Sequence, residues 1–455
     1  MNINTTIAAI ATPPGIGALG IVRLSGSDAH KTAFKIFRST GMTREYKRNT
    51  IHHGYISLSG RSLDEVMMAV MKEPYSYTGE DMIEFTCHGS PFVLGLVLEA
   101  CLKNGAKPAD PGEFTMRAFM NGKMDLSQAE SVNMLINASS EKAQQEALKI
   151  LGGSIRREIE DLKKQTTEIK AHIDADIEWG ETERINTMSR KEAGKKLIKL
   201  EKRIEEIISG SSDTSKALKG IRIVICGKPN AGKSSLFNSV IKDARSIISR
   251  TPGTTRNVIH CDTNMSGFFV VLVDTAGLGL HSRKSIDKIA MYKSKQEIEE
   301  ADIIIYVMDA KTGIEKIDHS IRRLIKGRNW IPVLNKCDIK SRLNKKIIND
   351  FCDGREYIAI SCKEKTGIKE LENKIEELLK SFESDKIMIN YRQKNCLQEA
   401  AGSIGRAMDI AAGSGYIEIA SHELQNAVRN LGMIDGVAVD EDVLDIIFRE
   451  FCIGK

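Results

Sequence analysis

The stretch Gly227-Lys228-Pro229-Asn230-Ala231-Gly232-Lys233-Ser234 fits the phosphate-binding loop pattern G-x-x-x-x-G-K-[ST] at each fixed position. A β-rich run from Ile221 to Cys226 precedes it, and a helical pattern begins at Ser234. Backbone N–H groups between a strand and a helix N-terminus point at phosphate oxygens. The stretch therefore predicts a nucleotide site in which Lys233 reaches the β- and γ-phosphates and Ser234 ligates Mg²⁺. A glycine-rich turn that matches by chance is the alternative.

Three further motifs follow successive β-rich runs and favour the nucleotide site. Asp274-Thr275-Ala276-Gly277 supplies a strand-end aspartate that holds Mg²⁺ through water. Asn335-Lys336-Cys337-Asp338 supplies a carboxylate that accepts hydrogen bonds from the N1–H and 2-amino groups of guanine, a donor pair that adenine lacks. Ser361-Cys362-Lys363 is expected to close over the base. Four motifs in this order predict a GTP-binding domain over residues 216–381.

The composition restricts the class of protein. A chain of 455 residues is too long for one core and predicts two or three domains. The formal charge of +5 permits a nucleic-acid partner without requiring one. Nine cysteines without a C-x-x-C pair indicate neither a disulfide framework nor a zinc site. Because no membrane-length apolar run or signal peptide is present, we expect a soluble, cytoplasmic protein that does not bind a membrane.

The N-terminal part, residues 1–118, alternates β-rich runs with turn signals and some helical patterns, which predicts an α+β domain. Three ionisable residues stand out there or just beyond it: Arg23, Glu84 and Lys123. A charge within an apolar strand is typical of a solvent-facing residue, because strand side chains alternate between two faces. On the pattern alone we favour that interpretation over a ligand-binding role.

Helical patterns flank the GTP-binding domain at residues 119–215 and 382–455, with a linker from Ser209 to Asp213. One long helix is indicated by a stripe at steps of three and four: Ile155, Ile159, Leu162, Thr166, Ile169, Ile173 and Ile177. The predicted fold class is thus multidomain α/β, with a Ras-like P-loop GTPase domain inserted into a helical domain. Basic residues between 191 and 203 form either an RNA-binding face or, as we favour, a solvated helix surface.

The last predicted helix, Val443 to Phe451, carries its apolar residues on one face and is followed by Cys452-Ile453-Gly454-Lys455. From the pattern we expect a frayed tail with a buried cysteine, because chain ends are usually poorly ordered.

The machinery for hydrolysis differs from that of Ras-like enzymes. Leu278 stands where those enzymes place the glutamine that orients the attacking water. The loop from Ser249 to Arg256 is rich in hydroxyls, and we expect Thr255 to be the second protein ligand of Mg²⁺ beside Ser234. The Asn230 amide oxygen could help to hold a monovalent cation where an arginine finger would otherwise lie.

On these patterns we assign GTP binding to the phosphate loop, the hydroxyl-rich loop and the three later motifs. The residues are Asn230, Ala231, Gly232, Lys233, Ser234, Ser235, Ser249, Arg250, Thr251, Pro252, Gly253, Thr254, Thr255, Asp274, Thr275, Ala276, Gly277, Asn335, Lys336, Asp338, Ser361, Cys362 and Lys363.

Several rarer stretches carry a resemblance along essentially the whole chain. They are Ile7 to Gly15, Ile21 to Gly26, Tyr77-Thr78-Gly79-Glu80-Asp81, Pro111 to Phe119, Asp125 to Glu130, and Phe451-Cys452-Ile453-Gly454-Lys455. With the four nucleotide motifs, the sequence resembles the MnmE (TrmE) family of tRNA modification GTPases.

The resemblance implies a potassium-stimulated GTPase, with GTP or GDP, Mg²⁺ and K⁺ as ligands. It also implies a cytoplasmic homodimer joined by N-terminal domains that bind 5,10-methylene- or 5-formyl-tetrahydrofolate. With an FAD-containing partner, MnmG, the family forms a heterotetramer. That complex adds a carboxymethylaminomethyl or aminomethyl group to C5 of wobble uridine 34 in certain tRNAs.

The resemblance also assigns residues. Folate contacts map onto Arg23, Glu84, Lys123 and Lys455, which reverses the preference for a solvent-facing Glu84. Potassium ligands map onto Asn230, Ser249, Thr251 and Thr254. Asp287 stands where the family has a catalytic glutamate, and Cys452 is a candidate nucleophile in the modification chemistry.

Two other interpretations stay open at this point. A ribosome-assembly GTPase of the Era or Der kind has similar nucleotide motifs, but it predicts a basic RNA-binding module after the GTPase domain. The other interpretation is a stand-alone folate enzyme with a regulatory GTPase domain. Such an enzyme would not co-purify with a flavoprotein.

Overall fold

The computed structural model describes residues 5–41, 46–179, 188–210, 220–243, 258–275, 295–339, 341, 345–382, 388–412 and 416–455. The chain divides into two compact units. The first comprises residues 1–133, 149–204 and 395–455, and the second comprises residues 134–148 and 205–394. Since the first unit includes segments on both sides of the second, the second is an insertion. The predicted domain boundaries at 118, 215 and 381 stay predictions.

The strands are β1 (Ile7–Ile10), β2 (Leu19–Ser25), β3 (Phe37–Ser39), β4 (Thr50–Leu58), β5 (Arg61–Met71), β6 (Met82–His88), β7 (Lys107–Pro108), β8 (Ile221–Gly227), β9 (Val258–Met265), β10 (Phe268–Thr275), β11 (Ile303–Asp309), β12 (Trp330–Asn335) and β13 (Ile358–Ala359).

The helices are α1 (Ala29–Ile36), α2 (Pro91–Lys103), α3 (Glu113–Met120), α4 (Leu126–Ile136), α5 (Glu141–Leu151), α6 (Ser154–Trp179), α7 (Arg190–Gly210), α8 (Lys233–Asp243), α9 (Lys316–Leu324), α10 (Lys345–Phe351), α11 (Ile368–Lys380), α12 (Tyr391–Ala412), α13 (Ile417–Asp435) and α14 (Glu441–Arg449). Within the described residues, no helix is both long and apolar enough to cross a membrane.

The first unit contains a seven-stranded sheet in the order β3-β4-β5-β6-β2-β1-β7. All neighbours are antiparallel except β1 and β7. Val22 and Leu24 of β2 are fully buried on the face that α1 and α2 cover. Because side chains alternate along a strand, Arg23 between them lies on the opposite face. The β2–β6 register places Arg23 directly beside Glu84.

The predicted stripe on α6 is buried over most of its length, from Ile155 to Ile173, and α6 packs along α13. Only its last member, Ile177, is 36% exposed. Thr166 is fully buried, and its hydroxyl donates to the carbonyl oxygen of Leu162, which satisfies the polar group. The periodicity therefore gave the correct buried face of this helix.

Helix α7 differs in two respects from what its sequence predicts. It continues through Ser209 and Gly210, which were predicted to begin a linker. Arg203, counted among the basic residues, pairs with Glu158 and Asp161 of α6. This ion pairing directs Arg203 toward α6, whereas the neighbouring lysines 195, 196, 199 and 202 are exposed. Exposure fits either interpretation of those lysines, so both remain open.

The second unit contains a six-stranded sheet in the order β13-β12-β11-β8-β10-β9. All neighbours are parallel except β9 and β10. Ile223 and Ile225 of β8 are buried in one core, and Val224 and Cys226 are buried in the core on the other face. A strand buried on both faces has a continuous apolar sequence, as this one does. The predicted multidomain α/β class is confirmed.

The C-terminal segment is bound, not frayed. Leu444 and Phe448 of α14 pack with Met116 and Leu126. Gly112 has φ 69°, and a Cβ there would lie 2.4 Å from the carbonyl oxygen of Phe448, so only glycine allows this approach. Its N–H donates to the carbonyl oxygen of Cys452. The cysteine side chain is exposed, so the expectation of a buried Cys452 was wrong. Backbone hydrogen bonds with the 112–114 segment hold the tail.

Candidate functional site

The phosphate loop connects β8 to α8 and has the backbone conformation that such loops need. Asn230 has φ 63° and Gly232 has φ 94°. A Cβ at Gly232 would lie 2.1 Å from Nδ2 of Asn335, so a side chain at this position would displace the asparagine. Asn335 Nδ2 instead donates to the carbonyl oxygen of Ala231 over 2.9 Å. The β12 motif thus contacts the phosphate loop directly.

Lys233 begins α8 and is buried, with its Nζ donating to the carbonyl oxygen of Lys228 over 3.0 Å. Burial lowers the pKa of Lys233, and the nearby Asp274 carboxylate opposes that shift. A buried ammonium without a full counter-charge favours an incoming anion. The position and environment of Lys233 fit the binding of nucleotide phosphates.

Asp274 at the end of β10 is 5% exposed, and its Oδ1 has no hydrogen-bond partner among the described residues. Burial raises the pKa of Asp274, while a hydrogen bond from Ser234 and the charge of Lys233 lower it. Buried polar atoms in folded proteins normally have a partner. An orphaned carboxylate oxygen beside a serine hydroxyl is a donor set that suits Mg²⁺, a cation that prefers oxygen ligands and keeps several waters. These residues fit the expected metal.

Lys336 and Asp309 secure the loop on its other side. Lys336 Nζ donates to the carbonyl oxygen of Asn230 and to Asp309 Oδ2, each over 2.7 Å. The hydrogen bond and charge of Lys336 hold the pKa of Asp309 below its ordinary value, although burial opposes this. Asp309 was not predicted from the sequence as part of the site. Its position directly after the apolar run 303–308 was a signal of the same kind that identified Asp274.

The base-binding end is built from β12 and the turn after β13. Asp338 is exposed, and its Oδ1 accepts a hydrogen bond from Ser361 Oγ over 2.7 Å. That hydrogen bond lowers the pKa of Asp338 and keeps the carboxylate ionised. The N–H of Cys362 faces Asn335 Oδ1 at 3.4 Å. Two predicted motifs, separated by more than twenty residues, therefore meet where the base would bind.

Part of the predicted site lies outside the described residues. This holds for the hydroxyl-rich loop with the candidate cation ligands Ser249, Thr251, Thr254 and Thr255, for Arg250, Pro252 and Gly253, for Ala276 and Gly277, and for Asp287. Their roles stay predictions. Within the described part of the chain, no group of three or more His, Cys, Asp or Glu is placed to hold a metal ion.

The first unit holds a second cluster, centred on Arg23. Its Nε donates to Glu84 Oε1 over 2.7 Å, and its Nη1 donates to the carbonyl oxygen of Gly454 over 2.9 Å. The rings of Tyr77 and Phe114 lie 5.7 and 5.6 Å from the guanidinium carbon. Contacts of these kinds fix an arginine in place. Sequence analysis missed both aromatic residues.

Lys455 belongs to the same cluster. Burial lowers its pKa, as does the charge of Arg23, while Glu84 and Cys452 act in the opposite direction. Lys123 is different, because its Nζ donates to the carbonyl oxygen of Pro74 over 2.9 Å. The hydrogen bonds of the described residues do not link Lys123 to Arg23 and Glu84. The structure thus brings together three of the four residues assigned to folate.

Two family profiles match this chain, and together they cover most of its length. The profile described as the MnmE helical domain matches residues 126–452, and that of the GTP-binding protein TrmE N-terminus matches residues 6–123. The chain belongs to the MnmE family. Its predicted membership is confirmed.

Full-length relatives support the assignment. A protein of Acetivibrio thermocellus is 37% identical over 99% of this chain and 99% of its own length. One from Clostridioides difficile is 38% identical over 100% of both chains, and one from Thermotoga maritima is 37% identical over 99% of this chain and 100% of its own. All three are named tRNA modification GTPase MnmE. A solved structure of Era from Aquifex aeolicus is 27% identical over 40% of this chain and 66% of that one, with a TM-score of 0.29, too low to argue from.

Proposed function

We propose that this chain binds GTP and GDP with Mg²⁺ and hydrolyses GTP. The observation that carries the proposal is the convergence at one sheet edge of Lys233, the orphaned oxygen of Asp274, and the Asp338–Ser361 pair. These groups match the phosphates, the metal and the guanine base in that order. When bound, Mg²⁺ supplies charge neutralisation on the β- and γ-phosphates. Ser234 and Thr255 would be its protein ligands.

The described residues perform three tasks in such a site. Lys233 changes its hydrogen-bond partner from the Lys228 carbonyl to phosphate oxygens. The backbone N–H groups from Gly232 to Ser235, at the start of α8, would face the phosphates. Asp338 accepts two donors of guanine while Ser361 orients its carboxylate. Each task requires the group to be held in place before the nucleotide arrives, and the hydrogen bonds described above do this.

We assign hydrolysis itself to Asn230 and to residues outside the described part of the chain. We propose that K⁺, held by Asn230, Ser249, Thr251 and Thr254, supplies positive charge where an arginine finger would act. Asn230 is exposed in the phosphate loop, and its backbone carbonyl oxygen already accepts a hydrogen bond from Lys336. We therefore propose its side-chain amide oxygen as the cation ligand. Asp287 is proposed to orient the attacking water, in the role that the family gives to glutamate.

We further propose that GTP hydrolysis by this chain drives tRNA modification, since its relatives are named tRNA modification GTPase. The chain would act as a cytoplasmic homodimer with an FAD-containing MnmG partner, in a heterotetramer. Together they would add a carboxymethylaminomethyl or aminomethyl group at C5 of wobble uridine 34. The charges around Arg23 support a tetrahydrofolate one-carbon donor, since a carboxylate suits the pterin edge and cations suit the glutamate tail.

Cys452 is proposed as a participant in the modification chemistry. Its exposed thiol lies beside Lys455 in the Arg23 cluster, and a thiolate is a strong nucleophile. Lys123 remains a proposed folate contact by family resemblance alone. The full-length relatives carry the MnmE name, so they do not support the alternative of a ribosome-assembly GTPase.

The test of GTP binding is Asp338→Asn. The amide places a donor against the guanine amino group, so affinity for GTP should fall roughly 10- to 150-fold as charge-assisted hydrogen bonds are lost. Xanthosine triphosphate, which has an oxygen in place of that amino group, should bind the variant better than it binds the parent. Fluorescence titration with both nucleotides measures this, and Asp350→Asn, at an exposed aspartate of the same unit, is the control. Unchanged GTP affinity in Asp338→Asn would refute the assignment of the base.

A further inference from the structure

Lys228 occupies a position that the phosphate-loop pattern leaves unspecified, yet its environment is specific. Its side chain is 5% exposed. Nζ donates to the carbonyl oxygen of Gly313 over 2.5 Å and lies 3.5 Å from a carboxylate oxygen of both Glu315 and Asp318. Buried lysines are rare unless they are paired, and this one is paired with the segment that leads into α9.

The ion-pair partner Asp318 is itself fixed. It is 1% exposed, and its two carboxylate oxygens accept hydrogen bonds from the Tyr306 hydroxyl and from the N–H of Glu315. Asp318 also completes a capping box with Glu315 at the start of α9. The Lys228 ammonium is therefore anchored to a point that β11 and α9 hold from two directions.

The backbone of the same residue faces the nucleotide site. The Lys228 carbonyl oxygen accepts hydrogen bonds from Lys233 Nζ over 3.0 Å and from the N–H of Ala231 over 3.3 Å. One residue thus joins the 313–318 segment, through its side chain, to the phosphate-binding lysine, through its carbonyl. If the side chain lost its anchor, the carbonyl that holds Lys233 would lose its fixed position.

We propose that Lys228 is a positioning residue for nucleotide binding, which keeps Lys233 and the turn around Ala231 in the conformation that receives phosphate. This inference rests on the proposed GTP binding and adds a residue to it. Lys228 does not touch the nucleotide in this account. It lowers the ordering cost of binding, because the loop is held before the ligand arrives. Both GTP and GDP should benefit equally, since they share the α- and β-phosphates that the loop surrounds.

The experiment compares Lys228→Met with Lys228→Arg in the full chain, by measuring dissociation rates and affinities for Mg·GTP and Mg·GDP. The methionine variant should bind both nucleotides roughly 10- to 100-fold more weakly, with KM raised and kcat changed less than about threefold. The arginine variant keeps the charge and should stay within about threefold of the parent. Lys311→Met, at an exposed lysine just before the 313–318 segment, is the matched control.

A second arm separates positioning from simple stabilisation. Asp318→Asn removes the partner's charge, while the new amide oxygen can still accept from the Glu315 N–H and the new NH2 group can donate to the Tyr306 hydroxyl oxygen. Asp318→Asn should weaken nucleotide binding by itself. Adding it to Lys228→Met should cause little further loss of affinity, because both substitutions remove the same Lys228–Asp318 ion pair. If Lys228→Met does not fold, Asp318→Asn and Lys228→Arg decide the question.

Two results would overturn the inference. One is parental nucleotide affinity in a folded Lys228→Met or Asp318→Asn variant, even if that variant melts at a lower temperature. The other is a weakening by the two substitutions that is fully additive. A parent protein that binds neither nucleotide would instead refute the proposed function, so the two failures can be told apart.

Discussion

At the scale of single residues, Asp274 has a buried carboxylate whose ionisation opposes stability. Its carboxylate is buried at the end of β10 with one oxygen unpartnered among the described residues. Burial raises its pKa, so the folded protein without ligand holds a proton on Asp274 more tightly than the unfolded chain does. The stabilisation that this proton provides is complete at low pH and is lost as pH rises through the folded-state pKa. Above that pKa the ionised group destabilises the ligand-free fold.

We therefore expect Asp274→Asn to raise the melting temperature of the nucleotide-free protein at pH 7 by a few degrees, equivalent to about 1–2 kcal/mol. The difference from the parent should shrink as pH falls toward 4, since parental Asp274 then becomes protonated. The variant should also lose Mg²⁺-dependent nucleotide binding. Calorimetric melting across this pH range, with and without Mg·GDP, measures both effects. A variant that melts below the parent at pH 7 would show that Asp274 stabilises the fold.

Residue-scale prediction was possible where the information is local. The phosphate loop, Asp274 and Asp338 were predicted because each motif follows its own strand within a few residues. The Arg23 cluster was assigned only by family resemblance, because Arg23 meets Gly454 from the far end of the chain. Lys228 was missed for a similar reason, since its partners lie more than eighty residues away. No periodicity or spacing in the sequence reports contacts of that range.

At the scale of elements, α14 and the residues after it act together to place the C-terminus beside Arg23. Phe448 packs the helix against α3 and α4. The carbonyl oxygens of the tail accept hydrogen bonds from the 112–114 segment. The N–H of Phe114 donates to the carbonyl oxygen of Lys455 over 3.2 Å, and Arg23 donates to that of Gly454. The tail thereby completes the candidate folate site within the first unit.

Deletion of residues 452–455 should abolish tRNA modification and leave GTP hydrolysis within about threefold of the parent, because the nucleotide residues lie in the other compact unit. Cys452→Ser is the matched control, as it keeps the backbone contacts and removes only the thiol. If that variant also loses modification, the thiol takes part in the chemistry. Joint loss of modification and hydrolysis on deletion would contradict this division of labour. Nucleoside analysis and phosphate release are the two assays.

Elements were predicted better than their arrangement. The β-rich runs before the four nucleotide motifs correspond to β8, β10, β12 and β13, and the apolar stripe lies on α6. The order β3-β4-β5-β6-β2-β1-β7 could not be read from the sequence, since it depends on pairing between strands far apart in the chain. The end of α7 was misplaced because serine and glycine are typical of linkers, whereas the helix continues through both residues to Gly210.

At the scale of the whole molecule, the insertion of the nucleotide unit permits hydrolysis to be examined apart from modification. We expect K⁺ to raise the GTPase rate much more than Na⁺ does. Asn230→Ala should remove this difference and keep nucleotide affinity within about threefold. Asn230→Gly is a useful second variant, because glycine adopts the positive φ of this position without strain. Equal rates in the two salts for the parent protein would count against a cation-assisted mechanism.

The central claim is that GTP hydrolysis by this chain serves modification of the wobble uridine, and the nucleosides of cellular tRNA test it most directly. Transfer RNA from cells that lack the protein should contain no carboxymethylaminomethyl or aminomethyl group at C5 of uridine 34. The parent chain should restore the modified nucleoside, and Lys233→Ala, which removes the phosphate-binding ammonium, should not. Mass spectrometry that finds the same modified uridines with and without the protein would contradict the claim.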